Sequence, residues 1–157
     1  MKEMLMPATV GQPAPDFSLR DQNGNTLSLS DLKGSKAVIV FIPNPNTGIC
    51  DGEACAIRDD FSSFERMGAK PVIITTHSAP NNRAWAEKNG LQFPVLSDYW
   101  PHGAVAQAYG CFNEQLGVAM RSSYLLDENG IVREIVASPE LRQAREHSAY
   151  AQALSRM

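Results

Sequence analysis

The apolar positions of this chain fall into short runs whose lengths and spacings predict alternating strands and helices. Continuous apolar runs at residues 36–42 and 72–75 predict strands that are buried on both faces. Between these runs the sequence predicts an amphipathic helix over residues 50–67, with an apolar stripe of Ala54, Ile57, Phe61 and Phe64. A strand, a helix and a second strand in this order favour two parallel strands joined by a helical crossover.

Alternating residues around turn signals predict two hairpins. The first lies around Asn23-Gly24, and the second lies around residues 127–130, between strands at 122–126 and 131–136. The other predicted elements are a helix at 81–88 before Asn89-Gly90, a strand at 93–96, a helix at 102–109 before Gly110, and a C-terminal helix that begins at Ser138-Pro139-Glu140. This order predicts an α/β fold with a central mixed β-sheet flanked by helices and an N-terminal β-hairpin.

Length and composition predict one soluble domain over residues 1–157. The net charge of −3 and the absence of any Lys/Arg run argue against a nucleic-acid surface. The first residues contain no long apolar segment, so we expect no signal peptide, no membrane span and a cytoplasmic location. Three cysteines are too few, and an odd number, for a secreted disulfide framework.

Candidate chemistry is concentrated at Cys50, which follows a buried strand and begins the predicted amphipathic helix. Unpaired backbone N–H groups and the helix dipole favour an anion there, and the thiolate is the reactive form of cysteine. Thr47 is placed to cap the helix and to bring its hydroxyl near the sulfur, while Pro43 stiffens the loop. The alternative is that Cys50 is a small buried apolar residue, as free cysteines often are.

Cys55 lies five residues after Cys50 in the same predicted helix. In an intact α-helix the two Cα atoms are about 8–9 Å apart, whereas a disulfide requires them within about 7 Å. A bond between them therefore needs local unwinding, which Gly52 favours by weakening the first turn. The alternative is a half-exposed Cys55 without a role. The spacing does not match C-x-x-C or a zinc site, and Cys111 is interpreted as a packing residue.

The motif Pro-x-x-x-Thr-x-x-Cys at Pro43, Thr47 and Cys50 resembles the active-site signature of the peroxiredoxin family. The resemblance covers nearly the whole chain and looks closest to the alkyl hydroperoxide reductase E-like branch, on residues 47–50, 96–103 and 109–114. The spacing of the first two cysteines is similar to that of the Q-type branch, in which the second cysteine is the resolving one.

The resemblance implies a thioredoxin-like fold and a thiol peroxidase that uses neither metal nor bound organic cofactor. By analogy with the family, Cys50 is the peroxidatic nucleophile, Thr47 hydrogen-bonds the peroxide and Pro43 shields the thiolate from water. Arg121 matches the distal active-site arginine, and Glu53 matches the acidic position that orients it. Cys55 is the thiol that condenses with oxidised Cys50 if the first helical turn unwinds.

The implied substrates are hydrogen peroxide and organic hydroperoxides, and the implied reductant is a thioredoxin-like protein or a low-molecular-weight thiol. We expect a monomer or a homodimer, since Asn46 stands where the family usually has an aromatic or apolar residue near a subunit contact. Two other functions remain alternatives. One is a redox sensor that uses Cys50 oxidation as a switch, and the other is a thiol–disulfide oxidoreductase, which the missing C-x-x-C disfavours.

Overall fold

The computed structural model describes residues 7–157 of the chain. Residues 1–6, on which the expectation about a signal peptide partly rests, lie outside the described part. Within residues 7–157, no helix has the length and apolar character that a membrane crossing requires.

In the described part of the chain, nine strands form a large sheet and a separate hairpin. In chain order they are β1 (Ser18–Arg20), β2 (Thr26–Ser28), β3 (Lys36–Phe41), β4 (Ala69–Thr75), β5 (Val95–Ser97), β6 (Phe112–Asn113), β7 (Val118–Ala119), β8 (Ser122–Leu126) and β9 (Val132–Ala137). The large sheet has the order β2-β1-β5-β4-β3-β8-β9, with β3, β4 and β5 parallel and the outer strands antiparallel. The predicted mixed sheet and N-terminal hairpin are therefore confirmed.

Five helices cover the sheet: α1 (Gly48–Asp59), α2 (Phe61–Arg66), α3 (Ala79–Asn89), α4 (Ala104–Tyr109) and α5 (Ser148–Ser155). Residues of α1, α2, α3 and α5 share one apolar cluster with one face of the sheet. Residues of α4 and of the N-terminal segment share a second cluster with the opposite face. This is the predicted arrangement of a central sheet between helical layers.

Strand β3 contributes to both clusters, which explains its continuous apolar run. Val38 and Val40 pack into the cluster that contains Cys50, whereas Ile39 and Phe41 pack into the opposite one. All four are fully buried. Because β3 lies between β4 and β8 in the middle of the sheet, it gives a rigid base to the loop that follows it.

The single helix predicted over residues 50–67 is wrong, since the chain breaks at Asp60 into α1 and α2. The carboxylate of Asp60 lies 3.1 Å from Nε2 of His147. The break redirects α2, so that Phe64 packs edge-on against His147 and tilted against Tyr150, while Phe61 packs against Phe93. Tertiary contacts here override a continuous helical pattern.

The C-terminal helix predicted to begin at Ser138-Pro139-Glu140 is also wrong, because α5 begins only at Ser148. Residues 138–147 form an irregular segment whose backbone groups pair with distant side chains. The carbonyl of Leu141 accepts a hydrogen bond from Nε of Arg121 (2.7 Å), and the N–H of Arg145 donates to Glu53 (2.9 Å). These contacts replace the hydrogen bonds that a helix would make.

The sequence analysis missed the short hairpin of β6 and β7, which pairs Phe112 with Ala119 and Asn113 with Val118. A strand of two residues is too short to show the alternation of apolar and polar residues from which strands are predicted. The hairpin matters because Leu116, in its turn, and Val118 line the pocket described below.

The side chain of Gln22 hydrogen-bonds the backbone at the start of β5. Its amide donates to the carbonyl of Phe93 (2.9 Å) and accepts from the N–H of Val95 (2.8 Å), in a buried position. Gln22→Ala leaves both backbone groups without partners, so we expect a loss of about 1–3 kcal/mol in the free energy of unfolding. Urea denaturation measures the loss, with Gln92→Ala at an exposed position as control. Equal stability of the two variants would contradict this role.

Candidate active site

Cys50 lies in the first turn of α1, directly after the loop that leaves β3, and it is fully buried. The first backbone hydrogen bond at this end of the helix runs from the N–H of Asp51 to the carbonyl of Thr47 (2.8 Å). The N–H of Cys50 precedes that bond and lies at the positive end of the helix dipole. The strand-to-helix junction predicted for this cysteine is therefore present.

An open pocket of about 480 Å³ lies over the sulfur. Four of the six predicted site residues line it, namely Pro43, Thr47, Cys50 and Arg121. Apolar side chains of the β6–β7 hairpin and of the irregular segment complete the wall, together with Arg142 at an exposed position. The buried sulfur and guanidinium therefore lie together in the wall of this pocket.

Thr47 occupies the N-cap position of α1, but the predicted side-chain cap is not made. Its hydroxyl donates instead to the carbonyl of Asn44, at 2.7 Å. The hydroxyl proton is thus used in a hydrogen bond within the loop, and the lone pairs of the oxygen remain able to accept a hydrogen bond from a ligand. Pro43 is buried beneath the same loop.

Arg121 precedes β8 and directs its guanidinium at the cysteine. Nη1 lies 3.2 Å from Sγ of Cys50 and 2.6 Å from Oε1 of Glu53, and the residue is only 4% exposed. The bond from Nε to the carbonyl of Leu141 fixes the plane of the group. Glu53 and Arg121 therefore meet as the sequence analysis expected, with the sulfur as a third member of the cluster.

The sequence analysis missed Arg145, the second arginine of this cluster. Its side chain is 1% exposed and binds Glu53 through Nε (2.9 Å) and Nη2 (2.8 Å). Nη1 donates to the carbonyl of Phe41 (2.7 Å) and to Oγ of Ser123 (3.0 Å). In the sequence, Arg145 lies in a polar stretch that resembles a solvated helix face. The sequence signal for such a partner was Glu53. This carboxylate lies beside the apolar stripe of α1, and a buried carboxylate requires a cation as partner.

The two arginines determine the ionisation of Glu53. Burial acts to raise the pKa of Glu53, but the hydrogen bonds and charge of Arg145, with the charge of Arg121, hold it below its ordinary value of 4.5. Burial likewise opposes the charge of Arg145, yet its bonds to Glu53 leave the pKa of Arg145 raised. The carboxylate of Glu53 and the guanidinium of Arg145 are therefore charged in the neutral pH range.

Cys55, the sixth predicted residue, lies on a different side of α1. Its Sγ is half-buried and lies 3.6 Å from Oδ1 of Asn89, at the end of α3. Both cysteines have free thiols within one continuous helix, so the structure does not bring them together. Cys111 is buried in the opposite apolar cluster, where desolvation raises the pKa of its thiol to about 12, as expected for a packing residue.

The arrangement supports one kind of chemistry. A sulfur at a helix N-terminus, held by a buried guanidinium, is suited to carry negative charge and to attack an electrophile in the pocket. Donors fixed in place in this way stabilise negative charge that develops during a reaction. Within residues 7–157, no group of three or more His, Cys, Asp or Glu side chains is arranged to bind a metal ion.

Comparisons with known proteins identify the family of the chain. The AhpC/TSA family profile matches residues 10–135. The chain is 45% identical to alkyl hydroperoxide reductase E of Mycobacterium bovis over 139 residues, which cover 87% of this chain and 91% of that protein. It is 37% identical to chloroplastic peroxiredoxin Q of Sedum lineare, over 80% of this chain and 67% of that protein.

Solved structures give the same result. Peroxidoxin BcpB of Mycobacterium tuberculosis superposes with a TM-score of 0.82 at 28% identity, over 94% of this chain and 95% of that one. Enterococcus faecalis AhpC, at 20% identity, shares the fold with a TM-score of 0.87 over 95% and 92% of the two chains. The chain belongs to the AhpC/TSA family of peroxiredoxins. It is a thiol-dependent peroxidase with a thioredoxin-like fold, and its family uses peroxide substrates and thiol reductants.

The ionisation of Glu53 predicts how stability depends on pH. Folding lowers the pKa of Glu53. The ionised carboxylate therefore stabilises the fold fully above its ordinary pKa of 4.5, and this stabilisation is lost as the pH falls through the pKa of the folded state. Glu53→Gln removes the charge between two buried guanidiniums, so we expect it to cost about 3–5 kcal/mol at pH 7. The difference in the free energy of unfolding between wild type and variant then narrows in acid, where the wild-type carboxyl is also neutral.

Urea unfolding at several pH values measures this difference. The control is Glu65→Gln, which removes an exposed carboxylate from α2. A constant difference between Glu53→Gln and wild type from neutral pH to strongly acidic pH would show that the charge of Glu53 does not stabilise the fold.

Proposed function

We propose that Cys50 is the peroxidatic nucleophile of this peroxidase and that Arg121 holds its thiolate ready for attack. The observation that carries the proposal is the 3.2 Å contact between Nη1 of Arg121 and Sγ of Cys50 at the base of the pocket. An arginine stays charged at any working pH and therefore favours the anionic sulfur at all times.

The first step is a displacement at oxygen. The Cys50 thiolate attacks the terminal oxygen of a hydroperoxide, a sulfur–oxygen bond forms and the oxygen–oxygen bond breaks. The electron pair leaves on the second oxygen, which takes up a proton and departs as water or an alcohol. Cys50 is oxidised to sulfenic acid, and the peroxide is reduced.

The surrounding residues stabilise the negative charge that moves from sulfur to oxygen in this step. Arg121 and the N–H of Cys50 are donors to the anionic atoms, and Thr47 accepts a hydrogen bond from the peroxide hydroxyl. Pro43 is buried in the pocket wall and limits access of water to the sulfur. Glu53 orients Arg121 through their 2.6 Å contact, and Arg145 in turn holds Glu53.

We propose that Cys55 resolves the sulfenic acid. The Cys55 sulfur attacks the sulfur of Cys50, a disulfide forms and the hydroxyl leaves as water. In the intact helix the two sulfurs lie on different sides, near Arg121 and Asn89 respectively. The first turns of α1 must therefore open before the disulfide can form. An external thiol reductant then reduces the disulfide.

Several further predictions from the sequence belong to the same proposal. The reductant is a thioredoxin-like protein or a low-molecular-weight thiol, and residues 1–157 act as one domain. The cytoplasmic location and the choice between monomer and homodimer stay predictions, which cell fractionation and sedimentation velocity measure directly.

The nucleophile and its arginine can be tested by stopped-flow oxidation with hydrogen peroxide. Cys50→Ser is expected to abolish turnover, since serine cannot form a sulfenic acid. Arg121→Ala is expected to lower the second-order rate constant by about 100- to 1000-fold, as loss of one donor to developing charge does elsewhere.

The matched control is Arg142→Ala, which removes an exposed cation from the same pocket. We expect a change of no more than about threefold, in line with a screened surface charge. Equal losses in the two arginine variants would indicate a general charge effect rather than a specific contact with the sulfur.

The resolving role predicts that Cys55→Ser stays at sulfenic acid after one equivalent of peroxide, whereas wild type gains an internal disulfide. Intact-mass and peptide mass spectrometry distinguish these products. Cys111→Ala serves as a control that keeps both reacting thiols. If wild type forms no Cys50–Cys55 link and Cys55→Ser turns over normally with a thioredoxin system, recycling occurs through an external thiol alone.

A further inference from the structure

The first turn of α1 is fastened to α3 by a hydrogen bond outside the catalytic cluster. The indole Nε1–H of Trp85 donates to Oδ1 of Asp51 at 2.7 Å. Trp85 is fully buried, and Asp51 directly follows Cys50 in the chain. The bond therefore connects the residue beside the nucleophile to the interior of the neighbouring helix.

The same carboxylate oxygen also holds the loop before α1. The N–H of Asn46 donates to Oδ1 of Asp51 at 3.0 Å. Asn46 has a left-handed backbone, with φ of 67°, and its side-chain oxygen accepts from Nζ of Lys88 on α3 (3.4 Å). One oxygen of Asp51 thus ties together the loop, the first turn of α1 and α3.

A second set of contacts lies one turn further along α1. Asn89, the last residue of α3, contacts Sγ of Cys55, and its carbonyl accepts a 2.6 Å hydrogen bond from Nη1 of Arg58. This part of α1 therefore has its own attachment to α3. If the first turn of α1 opens while the second turn stays attached to α3, Cys55 stays in place and Cys50 is free to move toward it.

We propose that the Asp51–Trp85 hydrogen bond is a latch that keeps the first turn of α1 closed. The proposal deepens the function proposed above, because opening of this turn precedes formation of the Cys50–Cys55 disulfide. Opening carries Asp51 away and leaves a fully buried indole N–H without an acceptor, which is unfavourable. Asp51 and Trp85 are thus positioning residues that govern how long oxidised Cys50 stays beside Arg121.

The latch can be measured in the reduced protein, without any disulfide. The chain has two tryptophans, and Trp100 is 83% exposed. Two-dimensional NMR therefore yields one buried and one exposed indole N–H signal. In wild type we expect the Trp85 proton to exchange slowly. In Asp51→Ala we expect exchange of this proton, and of the backbone amides of residues 50–53, to accelerate by about tenfold or more.

Asp51→Asn is the rescue variant, because it retains an acceptor oxygen but loses the charge. We expect its exchange rates to stay near those of wild type, which separates the hydrogen bond from any effect of charge near Cys50. The control on α3 is Glu87→Gln, which breaks only an exposed pair with Arg83. Unchanged exchange in Asp51→Ala, or equal acceleration in Asp51→Asn, would overturn the latch.

Kinetics give the second measurement. After rapid oxidation, we expect disulfide formation to be about tenfold faster in Asp51→Ala than in wild type or Asp51→Asn. At excess peroxide we expect correspondingly less sulfinic acid at Cys50. A wild type that forms no disulfide would refute Cys55 as the resolving residue, while the exchange experiment would still decide the latch. Equal rates of disulfide formation in all variants would overturn the proposed control of resolution.

Discussion

The carboxylate of Glu53, held between the buried guanidiniums of Arg121 and Arg145, is the interaction on which the site depends. Two buried guanidiniums beside one carboxylate leave an excess of positive charge, and the Cys50 thiolate of the proposed mechanism is the anion that balances it. Burying that excess charge without a partner would be costly. The same contacts join α1, β3, β8 and the irregular segment before α5, so the candidate site and the assembly of the fold depend on one cluster of charges.

The irregular segment at residues 138–147 exists because of this cluster. Its backbone supplies a carbonyl at Leu141 and an N–H at Arg145 to side chains that face the sulfur. A helix would satisfy those groups internally and would carry Arg145 away from Glu53. Regular structure is therefore absent where Arg121 and Glu53 have backbone partners, and α5 begins where those contacts end.

Helix α1 has two requirements that oppose each other. The proposed attack of Cys50 on peroxide needs a closed first turn that places Cys50 beside Arg121, whereas the proposed disulfide needs that turn open. Gly52 weakens the turn from within, and the contact of Asp51 with Trp85 strengthens it from outside.

The alternation of strands and helices, the hairpin at Asn23-Gly24 and the position of Cys50 could be predicted from the sequence, because each follows from local periodicity or turn chemistry. The resemblance to the family, carried by the motif at Pro43, Thr47 and Cys50 and by further segments, led to Arg121 and Glu53. The break at Asp60, the irregular segment and the burial of Arg145 emerge only in the folded chain. Those features arise from contacts between residues far apart in the chain, such as the 2.8 Å pair of Arg145 and Glu53, and no local pattern encodes which distant charge a buried carboxylate will meet.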